Sequence, residues 1–205
     1  MARHLEILTE EPSAARALEE MFKHHLPDTI TYRLIEFNGL EYLLDRLPER
    51  LKGYRLWIPD EWRIVILVDR DRADCHARKA HIEAMAKSAG FDTKTNPAPD
   101  GTFQVVTRLA VEELEAWFFG DVPALSAAYP GVPASLDQKQ GYRDADAIRG
   151  GTAEALLRVL QEAGHYKGLP RLPKLETAER VAAQMRPGHN TSHSFRIFWD
   201  TIIHL

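Results

Sequence analysis

Two aspartates on alternate residues, Asp69 and Asp71, close the apolar run Ile64-Val65-Ile66-Leu67-Val68. In an extended segment both side chains project to one side, about 7 Å apart along the backbone. An oxygen-only pair of that kind suits a hard divalent cation such as Mg²⁺. The stretch Asp69-Arg70-Asp71-Arg72-Ala73-Asp74 fits a second description equally well, a solvated turn with an aspartate capping the next helix. Glu10 and Glu11 occupy a similar place, between the strand-like Leu5 to Thr9 and a helical pattern opened by Pro12-Ser13. In open α/β sheets ligands gather at the carboxyl ends of strands, where loops converge and helix N-termini point inward. Glu10, Asp69 and Asp71 all fall at such ends.

A second acidic concentration lies in Val111-Glu112-Glu113-Leu114-Glu115-Ala116-Trp117-Phe118. As one helical turn it would place Glu112 and Glu115, spaced i and i+3, on a shared face. A solvated helix face explains the cluster as readily as a site does. Lys174 opens a helical pattern, where a cation opposes the helix dipole, so it is either a ligand or an ordinary surface lysine. In Pro187-Gly188-His189-Asn190-Thr191-Ser192-His193-Ser194-Phe195, Asn190 or Ser192 suits an N-cap, and His189 or His193 could do phosphate or base work. His24 and His25 are adjacent and make a poor metal pair. No Gly-x-Gly-x-x-Gly, Walker or Gly-x-Ser-x-Gly pattern occurs, which leaves nucleotide-driven and serine-hydrolase mechanisms without a foothold.

The elements that must position these residues alternate. Strands are expected at 5–9, 29–37, 64–68, 91–96 and 102–110. Helices are expected from Pro12, over Leu40 to Leu51 with Pro48 kinking or ending it, over Ala73 to Ala89 with Gly90 as its stop, and over Val111 to Phe119. Beyond Gly120 the breakers Pro123, Pro130, Gly131 and Pro133 precede helices near 121–129, 152–163, 174–185 and 192–204. This is an α/β chain: a mostly parallel sheet flanked by helices over 1–120, then a helical C-terminal region over 121–205.

Its 205 residues, 44% hydrophobic and 27% charged, describe an ordinary globular protein. Apolar runs reach about five or six residues, far short of the roughly 20 of a membrane span. The start Met1-Ala2-Arg3-His4-Leu5-Glu6 carries charge where a secretory signal is apolar, and Cys75 is the sole cysteine, so a reducing, cytoplasmic setting is expected. A net charge of −4 lacks the basic excess of an autonomous nucleic-acid binder, though acidic metal sites lower net charge in nucleases as well.

Together, Ile7-Leu8-Thr9-Glu10-Glu11-Pro12-Ser13, Val68-Asp69-Arg70-Asp71, Glu113-Leu114-Glu115-Ala116-Trp117-Phe118-Phe119-Gly120-Asp121 and Asn190-Thr191-Ser192-His193-Ser194-Phe195 resemble the DUF4276 family, in order and spacing over nearly the whole chain. The resemblance implies a Toprim-like fold, similar to the Toprim half of OLD-type nucleases. There a glutamate after the first strand and an Asp-x-Asp after a later one surround catalytic Mg²⁺ or Mn²⁺. Carried over, these are Glu10, Asp69 and Asp71, with Glu115, and Glu112 or Glu113 beside it, as a further acidic ligand and Lys174 as the cation. The resemblance further implies a nuclease of a mobile, anti-phage defence system, acting on nucleic acid, DNA first, beside an ATPase partner. The competing class is a Toprim-like module that docks a partner or binds a ligand without cutting. Departures exist: Glu11 replaces the glycine of the usual Glu-Gly-x-x-Asp turn, and Ala14 stands where its aspartate would be, so Glu11 is a rival ligand to Glu10. Asn38-Gly39-Leu40 lacks the lysine that many relatives carry after the glycine.

Overall fold

A computed structural model describes residues 3–70 and 75–205. Asp71, half of the Asp-x-Asp pair, lies outside the described residues. The elements are β1 (Arg3–Thr9), α1 (Pro12–His25), β2 (Ile30–Glu36), α2 (Leu40–Arg55), β3 (Arg63–Asp69), α3 (Cys75–Ser88), β4 (Val105–Ala110), α4 (Glu115–Phe119), α5 (Val122–Ala128), α6 (Thr152–Glu162), α7 (Lys174–Ala182) and α8 (His193–His204). The four strands form one parallel sheet in the order β2-β1-β3-β4. The expected α/β architecture is therefore present. No described helix is long and apolar enough to cross a membrane.

The chain divides into two compact units. Arg16–Leu26 and Ala110–His204 make the helical one, and the sheet belongs to the other up to Leu109.

In the sheet unit, β3 is buried along nearly its whole length, as its continuous apolar run demands. Ile64, Ile66 and Val68 join Leu8 and Val105 in a core closed by Leu43, Leu47, Leu51 and Tyr54 of α2 and Ile82 and Ala86 of α3. That packing explains why α2 runs through Pro48 to Arg55 instead of ending there. A mid-helix proline costs about 3 kcal/mol. Leu43, Leu47 and Leu51 are each fully buried, and at about 1.5–3 kcal/mol apiece they outweigh it.

Two expectations fail. Residues 91–96 do not form a strand: Thr93 and Asn96 exchange backbone hydrogen bonds in a tight turn, leaving one isolated parallel bridge between Thr93 and Val105. The acidic helix begins at Glu115, not Val111, because Glu112 adopts a left-handed conformation (φ 64°) that turns the chain. Glu112 and Glu115 therefore share no helix face.

In the helical unit α4 is short but central, packing against α5, α6 and α7. Trp117 lies fully buried with its ring centroid 5.2 Å from Phe195 and 5.1 Å from Phe198 of α8.

Candidate functional site: carboxylates at strand ends and a clamped acidic helix

In the sheet unit, β1 and β3 pair in parallel with Thr9 level with Leu67, so Glu10 and Asp69 leave neighbouring strands at the same edge. The Glu10 backbone N–H donates to the Leu67 carbonyl (3.2 Å), and the Asp69 N–H donates to Glu10 Oε2 (2.9 Å). Both acids are 8% exposed. Arg78 of α3 reaches back over nine residues, donating from Nη1 to the carbonyl oxygens of Asp69 and Arg70, and so ties down the backbone that presents the aspartate. Nothing about its residue type set Arg78 apart from other helix arginines in the sequence. At Glu11 the carbonyl accepts the Ala14 and Ala15 N–H groups of α1, and Oε2 accepts from Ser13 Oγ (3.2 Å).

The helical unit brings Glu113, Glu115 and Lys174 together. Glu113 Oε2 accepts from Thr152 Oγ1 and the Ala153 N–H, both at 3.0 Å, which caps the start of α6 with a carboxylate. Lys174 Nζ stands 3.6 Å from Glu113 Oε1 and 3.9 Å from Glu115 Oε1. Burial opposes the charge on Glu113, but the Ala153 N–H, the Lys174 ammonium and the Thr152 hydroxyl outweigh it and hold the carboxyl below the usual glutamate range. The lysine that looked misplaced at a helix start is thus placed by two acids. Glu115 itself is 1% exposed, presented from the first turn of α4.

The residues around Glu115 form a clamp. Trp117 Nε1 donates to Ser194 Oγ (3.0 Å), and Asn190 Nδ2 donates to the Trp117 carbonyl (2.7 Å). Asn190 Oδ1 accepts from the Ser192 N–H (2.9 Å), and Ser192 Oγ accepts from the Phe195 N–H (3.1 Å), the N-cap bond of α8. Asp146 gathers the same serines, accepting from Ser192 Oγ, Ser194 Oγ and the Ser194 N–H within 3.0 Å. Asp121 caps α5 through the Ala124 N–H and also accepts from the Arg186 N–H. The buried members of the Asn190–Phe195 stretch are thus structural, while His189 and His193 are exposed. Asp146 had no distinguishing signal in the sequence.

Among the described residues no group of three or more histidine, cysteine, aspartate or glutamate side chains forms a ready-made metal cage. Mg²⁺ does not require one: it keeps several waters and is commonly held by one or two carboxylates together with substrate phosphates. Glu10 and Asp69, both oxygen donors fixed at one strand edge, fit that mode.

No curated protein and no solved structure matches the chain. One family model does, described as a domain of unknown function (DUF4276), over residues 9–203. That span includes both the Glu10–Asp69 edge and the Trp117–Asn190–Ser192 clamp, and with nearly every residue covered the chain belongs to the DUF4276 family.

Proposed function

We propose that this chain is a metal-dependent phosphodiesterase that hydrolyses nucleic acid at a Toprim-like site, within a defence-type system that includes an ATPase partner. The observation that carries the reading is the Glu10–Asp69 pair: two nearly buried carboxylates leaving adjacent parallel strands, joined by the Asp69 N–H to Glu10 Oε2 bond. Both residues bring oxygen donors to one strand edge, the ligand type that a hard divalent cation prefers. Mg²⁺ or Mn²⁺ bound there would stabilise charge on the phosphoryl transition state and lower the pKa of water. The chain's own contribution follows from chemistry. Asp69, held through its backbone by Arg78, and Glu10 would present oxygen to the cation, and the proton of the attacking water would pass to bulk water. Water adds to phosphorus, the bond to the leaving oxygen breaks, and no covalent enzyme intermediate forms. In the helical unit, Lys174 beside Glu113 and Glu115 offers a separate cation for a phosphate oxygen.

Mn²⁺ titration by calorimetry tests the metal assignment. Wild-type protein should bind, and Asp69→Asn and Glu10→Gln should each weaken binding at least tenfold while circular dichroism stays native. Equal affinity in all three proteins would remove Glu10 and Asp69 from the site.

A further inference from the structure

On the sheet unit, α2 and the edge strand β2 enclose an open groove of about 490 Å³. Arg33 of β2 and Arg46 and Arg50 of α2 line it, interleaved with Phe37, Tyr42, Tyr54 and Trp57. Among the described residues Glu36 is its sole acidic lining residue, so that lining is net positive in a chain whose net charge is −4. Tyr42 is 48% and Trp57 53% exposed; the Arg46 guanidinium already lies over the Tyr42 ring at 5.4 Å, and Trp57 stands against Tyr54 and Trp62 with part of its ring open. Arg46 and Arg50 lie four residues apart on one helix face, about 6 Å along the axis. That is comparable to the step between successive phosphates of a flexible strand.

Gly53 supplies a separate observation. It sits inside α2, where glycine destabilises a helix by about 1 kcal/mol relative to alanine. A Cβ added there would meet nothing within 4 Å, so neither packing nor close approach requires the glycine. It lines the groove beside Trp57 and Tyr54, whose hydroxyl donates to Glu6 Oε2 at 2.6 Å.

We infer that this groove binds a single strand of nucleic acid, with the arginines on its phosphates and Trp57 and Tyr42 stacked on its bases. Positive charge that tracks a backbone, combined with exposed rings, is the chemistry of sequence-tolerant single-strand binding. The groove begins at Phe37 and Tyr42, and the Gly39 N–H between them donates to the Glu10 carbonyl (2.9 Å). A strand lying along α2 is therefore led toward Glu10. That last clause rests on the proposed function; the binding itself does not.

The test is fluorescence anisotropy of the full chain with a labelled oligothymidylate about 15 nucleotides long, in EDTA so that no cleavage can occur. Binding should weaken with salt. Trp57→Ala should lower affinity about five- to a hundredfold, and Arg46→Glu with Arg50→Glu at least tenfold with a shallower salt dependence. Gly53→Leu, which favours the helix and adds a bulky side chain to the lining, should weaken binding without loss of thermal stability. Because the titration is run in EDTA, loss of docking in the groove variants is read apart from any loss of cleavage. An oligouridylate arm assigns RNA or DNA. No binding by the wild type, unchanged affinity in the groove variants, or equal binding of a duplex insensitive to Trp57→Ala would overturn the inference.

Discussion

Gly120→Ala is an unusually sharp perturbation, because helix propensity and packing predict opposite signs for it. Gly120 has ordinary right-handed dihedrals (φ −67°, ψ −20°), open to any residue, and it closes α4. On propensity alone alanine would stabilise by up to about 1 kcal/mol. A Cβ at this position, however, would stand 2.1 Å from Asn190 Oδ1, 2.8 Å from the Ser192 nitrogen and 2.9 Å from Ser192 Cβ. Overpacking of this kind costs about 1–3 kcal/mol. Moving Asn190 aside also disturbs two buried hydrogen bonds, to the Trp117 carbonyl and from the Ser192 N–H, each contributing about 1 kcal/mol. Packing wins, and the net destabilisation is about 2–4 kcal/mol. For a chain of this size that lowers Tm by roughly 4–16 °C, at about 2–4 °C per kcal/mol. Thermal melts followed by circular dichroism and urea titrations read the effect. Asn190→Ala removes the nearest obstacle, so in that background Gly120→Ala should cost at least about 1 kcal/mol less than in the wild type. A Gly120→Ala protein as stable as wild type, or strict additivity in the double variant, would refute the clamp.

Other consequences follow from the same geometry. Folding lowers the affinity of Glu113 for protons, so the unfolded chain binds more protons and stability rises with pH. The contribution is complete above the unfolded value of about 4.3 and is lost as pH falls through the lowered folded value, so the stability difference between wild type and Glu113→Gln should shrink in acid melts below about pH 4. Lys174→Met leaves Glu113 and Glu115 facing each other without their shared ammonium. With the lysine 31% exposed and partly screened, a loss of roughly 1–3 kcal/mol is expected in urea titrations, with partial rescue by Glu115→Gln. Ser192→Ala removes the α8 cap and a partner of Asp146, and should lower stability by about 1–2 kcal/mol; a change below about 0.3 kcal/mol would contradict the capping role.

The parts of the fold that were legible in the sequence are those in which local pattern and tertiary packing agree. The run Ile64–Val68 is buried throughout, Gly90 follows α3, and Lys174 opens α7. The helix drawn over Leu40 to Leu51 does include Pro48, and it runs on to Arg55 with Leu43, Leu47, Leu51 and Tyr54 buried. Failures occurred where packing overrode local preference. Val111–Leu114 carries helix-forming glutamates, yet one takes a positive φ and the next caps α6, a partner 40 residues away. The alternation in residues 91–96 suggested a strand, but a Thr93–Asn96 turn breaks it. At the site, residue types at strand ends were visible in sequence because topology alone selects them. Arg78, Asp146 and the Gly120–Asn190 contact were not, because each depends on which distant backbone it meets.

The central claim, that Glu10 and Asp69 hold a cation used to cut nucleic acid, is tested most directly by cleavage of end-labelled single- and double-stranded DNA and RNA. The assay compares wild type, Glu10→Gln and Asp69→Asn in Mg²⁺ or Mn²⁺, with the ATPase partner supplied. Wild-type protein should cleave, EDTA should abolish the cleavage, and the rate should fall at least a hundredfold in either folded variant. Cleavage undiminished in the variants, or none by the wild type under either metal, would contradict it.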